Sequence, residues 1–122
     1  MPTNLASSPH AYRQSAVLTA TPERLIVMLY DGAHRFLYQA AHAMRAGDIV
    51  MAHNKLRRAE AIIEHLRDTL DLEQGEIPRN LLAIYLFCCR HLNQARLDFD
   101  ADKVDEVDKL LGTLREAWAA IC

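Results

Sequence analysis

Glycine and proline are scarce in this chain, four of each in 122 residues. With 51% hydrophobic residues, that scarcity argues against disorder throughout and for long elements around a real core. No run of roughly 18 or more apolar residues occurs, so no membrane span is expected. Positive charge is not in excess either. The formal net charge is -2, which speaks against a nucleic-acid partner. Cysteine is rare too, three residues with Cys88 and Cys89 adjacent. That is no disulfide framework, and reduced thiols in a cytoplasmic protein are the simplest reading. The opening MPTNLASSPHAYRQ has no basic head followed by an apolar block, so an ordinary secretory signal is not expected.

What is present is helical. The length suits one domain. Residues 1–20 are polar and small at first and read as a mobile arm; 21–122 hold the domain. Thr21-Pro22 is a helix-start signal, because threonine caps free amides and proline at the first position has no amide hydrogen to leave unpaired. That helix is expected to end near Arg45, before Ala46-Gly47-Asp48, which supplies a glycine stop and the next cap. Three more follow, over about 49–70, from Pro78 or Asn80 to about 99, and over about 103–120. Strand alternation is nowhere sustained. Long helices joined by short turns predict an all-α, antiparallel four-helix bundle with a short N-terminal arm or cap helix.

Stepping 100° per residue shows where apolar surface is in surplus. On the first helix Leu25, Ile26, Leu29, Tyr30, Ala33, Phe36, Leu37, Ala40 and Met44 share one broad face, leaving Val27, Met28 and Tyr38 outside it. The fourth helix has one stripe, Val104, Val107, Leu110, Leu111, Leu114, Trp118 and Ile121. The third has two. Its core stripe is Leu81, Ile84, Tyr85, Cys88, Leu92, Ala95 and Phe99, and a second line runs through Leu82, Leu86, Cys89, Asn93 and Leu97. Met51 and Ile62 stand at the edge of the second helix's core face. Such a surplus fits a wide core or self-association, and it equally fits a groove that receives an amphipathic or unfolded partner segment.

Several chemistries find no support. Asp98-Phe99-Asp100-Ala101-Asp102 begins like a calcium loop, but Lys103 and Lys109 stand where glycine and glutamate are needed. Acids at a helix start explain that run. The six histidines (His10, His34, His42, His53, His65, His91) have no metal-ligand spacing, and no metal or cofactor is expected. A histidine phosphotransfer bundle is the alternative from another class, with His65 and His91 the accessible candidates. No nucleophile, paired carboxylates or phosphate loop stands out, so an enzyme is not expected.

The block Ala16-Val17-Leu18-Thr19-Ala20-Thr21-Pro22-Glu23-Arg24-Leu25, followed by Leu29-Tyr30-Asp31-Gly32-Ala33, resembles the flagellar secretion chaperone family, FliS. The likeness begins at Ala11-Tyr12. It continues through Lys55-Leu56-Arg57-Arg58-Ala59-Glu60-Ala61-Ile62 and Asn80-Leu81-Leu82-Ala83-Ile84-Tyr85, and closes on Leu114-Arg115-Glu116-Ala117-Trp118. Leu86-Phe87-Cys88-Cys89 departs from the family's usual tyrosine-methionine pair, and Ala95-Arg96 from its usual Ala-Asn. The resemblance implies a cytoplasmic export chaperone whose client is flagellin. It would hold flagellin's disordered C-terminal segment, prevent premature polymerisation and keep it fit for flagellar type III secretion. On this reading Leu82, Leu86, Cys89, Asn93, Leu97, Ile62 and Met51 form the client's groove, and the arm around Tyr12, Val17 and Leu18 covers it in the free protein. Flagellar export-gate or regulatory proteins would be further partners, and an exposed strip could also pair with its own copy as a homodimer.

Overall fold

Three of the four helix starts carry a side-chain cap. In this computed structural model, which describes Gln14 and residues 19–121, Thr21 accepts a hydrogen bond from the Arg24 amide at 3.2 Å and opens α1, Pro22–Arg45. Asp48 accepts from the Met51 amide at 3.1 Å at the start of α2, Ile49–Asp68. Asp100 accepts from the Asp102 amide and opens α4, Ala101–Ala119. The acidic run therefore serves capping, and Asp98 receives the Gln94 amide and the Lys103 ammonium. Tyr12, Val17 and Leu18, expected to cover the groove, lie outside the described residues.

α3, Glu76–Asp98, begins earlier than Pro78 suggests. Pro78 sits inside the first turn, where a missing amide hydrogen costs nothing. The link from α2 also contains a short 3-10 turn, Leu72–Gln74, capped by Asp71; three residues are too few for a periodic signal. Gly75 (φ 107°, ψ -153°) turns that segment into α3 through backbone space reserved for glycine. At the other end Phe99 takes the left-handed cap position (φ 51°, ψ 48°), a conformation usually left to glycine. Its ring lies edge-on to His53 with centroids 6.4 Å apart, a contact glycine could not make.

The described residues form four helices and no strand, with each helix antiparallel to the next. α1 packs against α2 and α4, and α3 closes the square by touching the same two neighbours less extensively. That asymmetry accounts for α1's breadth. Val27, expected outside the core face, is completely buried, because it belongs with Asp31, His34 and Arg45 on the line that faces α4. Tyr38 does stay exposed, whereas Ile121, expected in the fourth helix's stripe, lies beyond the end of α4 and is exposed.

The core is apolar apart from one feature. Tyr30 of α1 and Tyr85 of α3 reach across the diagonal, their hydroxyls 2.5 Å apart and both residues 2% exposed. Trp118 of α4 also hydrogen-bonds Tyr30. An indole N–H can only donate, so Tyr30's oxygen accepts it and its own proton goes to Tyr85. Desolvation, then the partner hydroxyl, pushes Tyr30 far above the usual phenol range; burial raises Tyr85 as well.

Candidate functional site

The second line on α3 is only partly covered. Leu86 and Leu97 are 38% and 71% exposed, Leu82 and Cys89 are half-buried, and Asn93 is exposed. From Leu82 to Leu97 the line runs about 22 Å at ~1.5 Å per residue. It lies on the α2-facing shoulder of α3. Cys89 is close enough to Glu64 and Arg67 of α2 to interact electrostatically, and its thiol is raised by burial, then by Glu64. Cys88, one residue away, points inward, is fully buried and is pushed up to about 12 by desolvation. Neither thiol is activated for chemistry.

Polar groups border this line. Arg96 reaches Glu60 of α2 and donates to the Asn93 side chain. Burial and the neighbouring Arg57 lower the Arg96 guanidinium from its ordinary value. His53, Arg57, Glu60, Glu64 and Arg96 line a cleft of about 480 Å³ between α2 and α3. Arg96, a departure from the family pattern, is thus held by an internal partner.

The sequence grouped Met51 and Ile62 with the α3 line, but the structure does not bring them there. Glu60 and Glu64 face α3, while Ile62, about 200° around the helix from Glu60, faces α1. Its Cδ1 would stand 3.2 Å from a Cβ at Gly32. Met51 shares a cleft with Tyr38, Gln39, Ala43 and Lys55. Helical periodicity fixes a face within one helix but not which neighbour each edge of that face meets.

Two further hollows escaped sequence reading. At the end of the bundle where α1 and α3 begin, Ile26, Leu66, Leu70, Ile77, Pro78, Leu81 and Trp118 surround an apolar cavity of about 240 Å³. Between α1 and α4 lies a charged cleft of about 520 Å³, where Arg115 donates to Asp31 at 2.8 Å and His34 sits 2.8 and 3.0 Å from the two Asp108 oxygens. Both are built from residues distant in sequence, and no local pattern announces them. The phosphotransfer candidates are differently placed. His91 is paired with Glu106 at 2.6 Å and stacked on Phe87, whereas His65 is exposed on α2.

No helix is long and apolar enough to cross a membrane, and among the described residues no cluster of three or more ligating side chains could hold a metal. The arrangement offers surfaces for binding.

Comparison with known proteins identifies the family. The family model described as "Flagellar protein FliS" matches residues 5–122. The flagellar secretion chaperone FliS of Salmonella typhimurium is 42% identical over 122 residues, covering 95% of this chain and 90% of that protein. The Bacillus subtilis chaperone of the same name is 35% identical over 108 residues, 88% of this chain and 80% of its own. The Campylobacter jejuni one is 34% identical over 122 residues, covering 99% and 94%. With the match running through all four helices, the chain belongs to the flagellar secretion chaperone family, whose members are escorts for export rather than enzymes.

Proposed function

We propose that this protein is a cytoplasmic chaperone that holds the disordered C-terminal segment of flagellin along α3, blocking premature polymerisation and keeping the subunit competent for flagellar type III secretion. The observation that carries this reading is the uncovered line Leu82, Leu86, Cys89, Asn93 and Leu97, with its two exposed leucines. Covering a leucine fully is worth about 1.5–3 kcal/mol. A partner that folds as it binds gives up about 2–5 kcal/mol in ordering, so it needs contacts along the whole strip rather than one anchor. The Arg96–Glu60–Asn93 group supplies a polar rim at the Leu97 end.

The arm completes the device. α1 and α3 begin at the same end of the bundle, and the apolar end cavity opens there beside Leu81, next to the strip's first residue. Val17 and Leu18 lie four to five residues before Pro22, a reach of about 15 Å in extended chain. On this proposal the arm folds over the groove from this end in the free protein, Tyr12 bringing an apolar ring and a hydroxyl able to meet polar groups beside it. Flagellin displaces it.

The test compares intact flagellin with flagellin lacking its C-terminal segment, against the wild-type chain and Leu86→Asp. Intact flagellin should bind, and the truncated form should not. Leu86→Asp should weaken binding about tenfold or more, because a carboxylate would be desolvated in the complex, while leaving the fold intact. Equal binding of both flagellins, or full affinity in the folded variant, would refute the proposal.

A further inference from the structure

The displaced pair, Met51 and Ile62, marks a second surface. With Lys55 and Arg58 they follow one line of α2 at intervals of four, three and four residues, so they share a face about 16 Å long at ~1.5 Å per residue. Opposite them stand Phe36 of α1 and the exposed Tyr38. Met51 is 45% and Tyr38 65% exposed, and the cleft they share measures about 460 Å³. The face is thus a shallow apolar trough between two helices, on the opposite side of α2 from the proposed flagellin strip.

Its cations, Lys55 and Arg58, outnumber its one carboxylate, Asp48. Lys55 Nζ and the Arg58 guanidinium each lie 5.7 Å from the Phe36 ring centre, which holds their stems flat and their charges at the rim. Neither has a carboxylate partner among the described residues. Asp48, at the trough's end, is engaged in capping α2. Arg45, Arg96 and Arg115, by contrast, are paired, to Asp102 and Asp105, to Glu60 and to Asp31.

We propose that this α1–α2 trough is a second docking surface, and that its occupant is an acidic amphipathic helix of a partner protein. An apolar stripe would cover Met51, Tyr38 and Ile62, and flanking carboxylates would meet Lys55 and Arg58. The chain's net charge of -2 disfavours a nucleic acid or an anionic membrane as the occupant, because both need a larger positive field. Since the trough and the α3 strip are on different sides of α2, the two surfaces can be filled together.

The probe is a fluorescent helical peptide of about 18 residues, ~27 Å long, with leucines on one stripe and glutamates beside it, titrated into the full chain and read by anisotropy. A second peptide has lysine in place of each glutamate. The acidic peptide should bind saturably and the basic one should not. Lys55→Glu/Arg58→Glu should weaken the acidic peptide about tenfold or more, and Met51→Asp should weaken it too. Leu97→Asp should leave its affinity unchanged, and the double charge reversal should keep wild-type affinity for flagellin. Equal binding of both peptides, no binding of the acidic one, or a loss caused by Leu97→Asp instead would overturn the proposal. So would retention on phosphatidylglycerol vesicles, or a dimer by sedimentation, that the charge reversal abolishes while peptide affinity stays the same.

Discussion

The hydroxyl chain Trp118–Tyr30–Tyr85 permits a sharp test of what positions α3. Tyr30→Phe removes the middle member and orphans two groups, the Tyr85 hydroxyl and the Trp118 indole. An unsatisfied buried polar group costs about 1–3 kcal/mol. Trp118 is only partly buried and can turn to water, so the expected loss is about 2–3 kcal/mol. Tyr85→Phe strands only Tyr30's proton, for about 1–2 kcal/mol. The double variant leaves no unpaired pair across the diagonal, and its loss should fall short of the sum by about 1 kcal/mol or more. Urea unfolding followed by circular dichroism measures this without relying on Trp118 fluorescence, which the variants themselves would alter. Additivity within about 0.3–0.5 kcal/mol would refute a coupled pair, and two neutral single variants would refute its burial.

Other consequences are simpler. Gly112 lies within α4 with open space where a Cβ would stand, whereas at Gly32 a Cβ would meet Ile62 at 3.2 Å. Gly112→Ala should therefore raise stability by about 0.5–1 kcal/mol in denaturant titration, and Gly32→Val should lower it by about 1–3 kcal/mol through overpacking. Burial raises Tyr30, Tyr85 and Cys88, the last from 9.0 to about 12. Their protons are held more firmly folded than unfolded, so stability is full below about pH 9 and falls as pH rises, by about 1.4 kcal/mol per unit for each group titrating. Cys88→Ala should flatten the part of that decline between about pH 9 and 12, and an unchanged slope would show that the thiol is not responsible. Arg96→Asn, which restores the family's usual residue, leaves Glu60 partly buried without its ion pair. It should cost about 0.5–1 kcal/mol at neutral pH in the same titration.

The legible part of this fold was local. Thr21, Asp48 and Asp100 cap the helices they precede because capping depends on residues three or fewer apart. The α3 core stripe followed from helical periodicity, and Leu81, Tyr85, Cys88, Leu92 and Ala95 are all buried. Where the reading slipped, the cause was a neighbour that periodicity does not name. Val27 is buried because α4 covers α1's second flank. Met51 and Ile62 stand apart from the α3 line because an edge position on α2 can turn toward α1 or toward α3. Phe99 adopts a glycine-like conformation with its ring beside His53, a tertiary contact overriding a local preference.

Unequal packing of the four helices links stability to binding. α1 is covered on both flanks, so most of its apolar breadth is consumed inside the bundle, with Tyr38 the large apolar side chain it leaves exposed. α3 has less contact with the same two neighbours, yet its inward stripe is fixed by the Tyr30–Tyr85 hydrogen bond as well as by apolar burial. A purely apolar interface would tolerate rotation of α3 about its axis, which would fold Leu86 and Leu97 inward and cover the strip. Rotation would break a buried hydrogen bond, so the polar pair opposes it. Losing that pair should therefore reduce client affinity even though neither tyrosine lies on the strip. Tyr30→Phe/Tyr85→Phe, if folded, should bind flagellin more weakly than wild type and show greater hydrogen exchange along 82–97. Unchanged affinity together with unchanged exchange would mean that packing alone sets the helix's orientation.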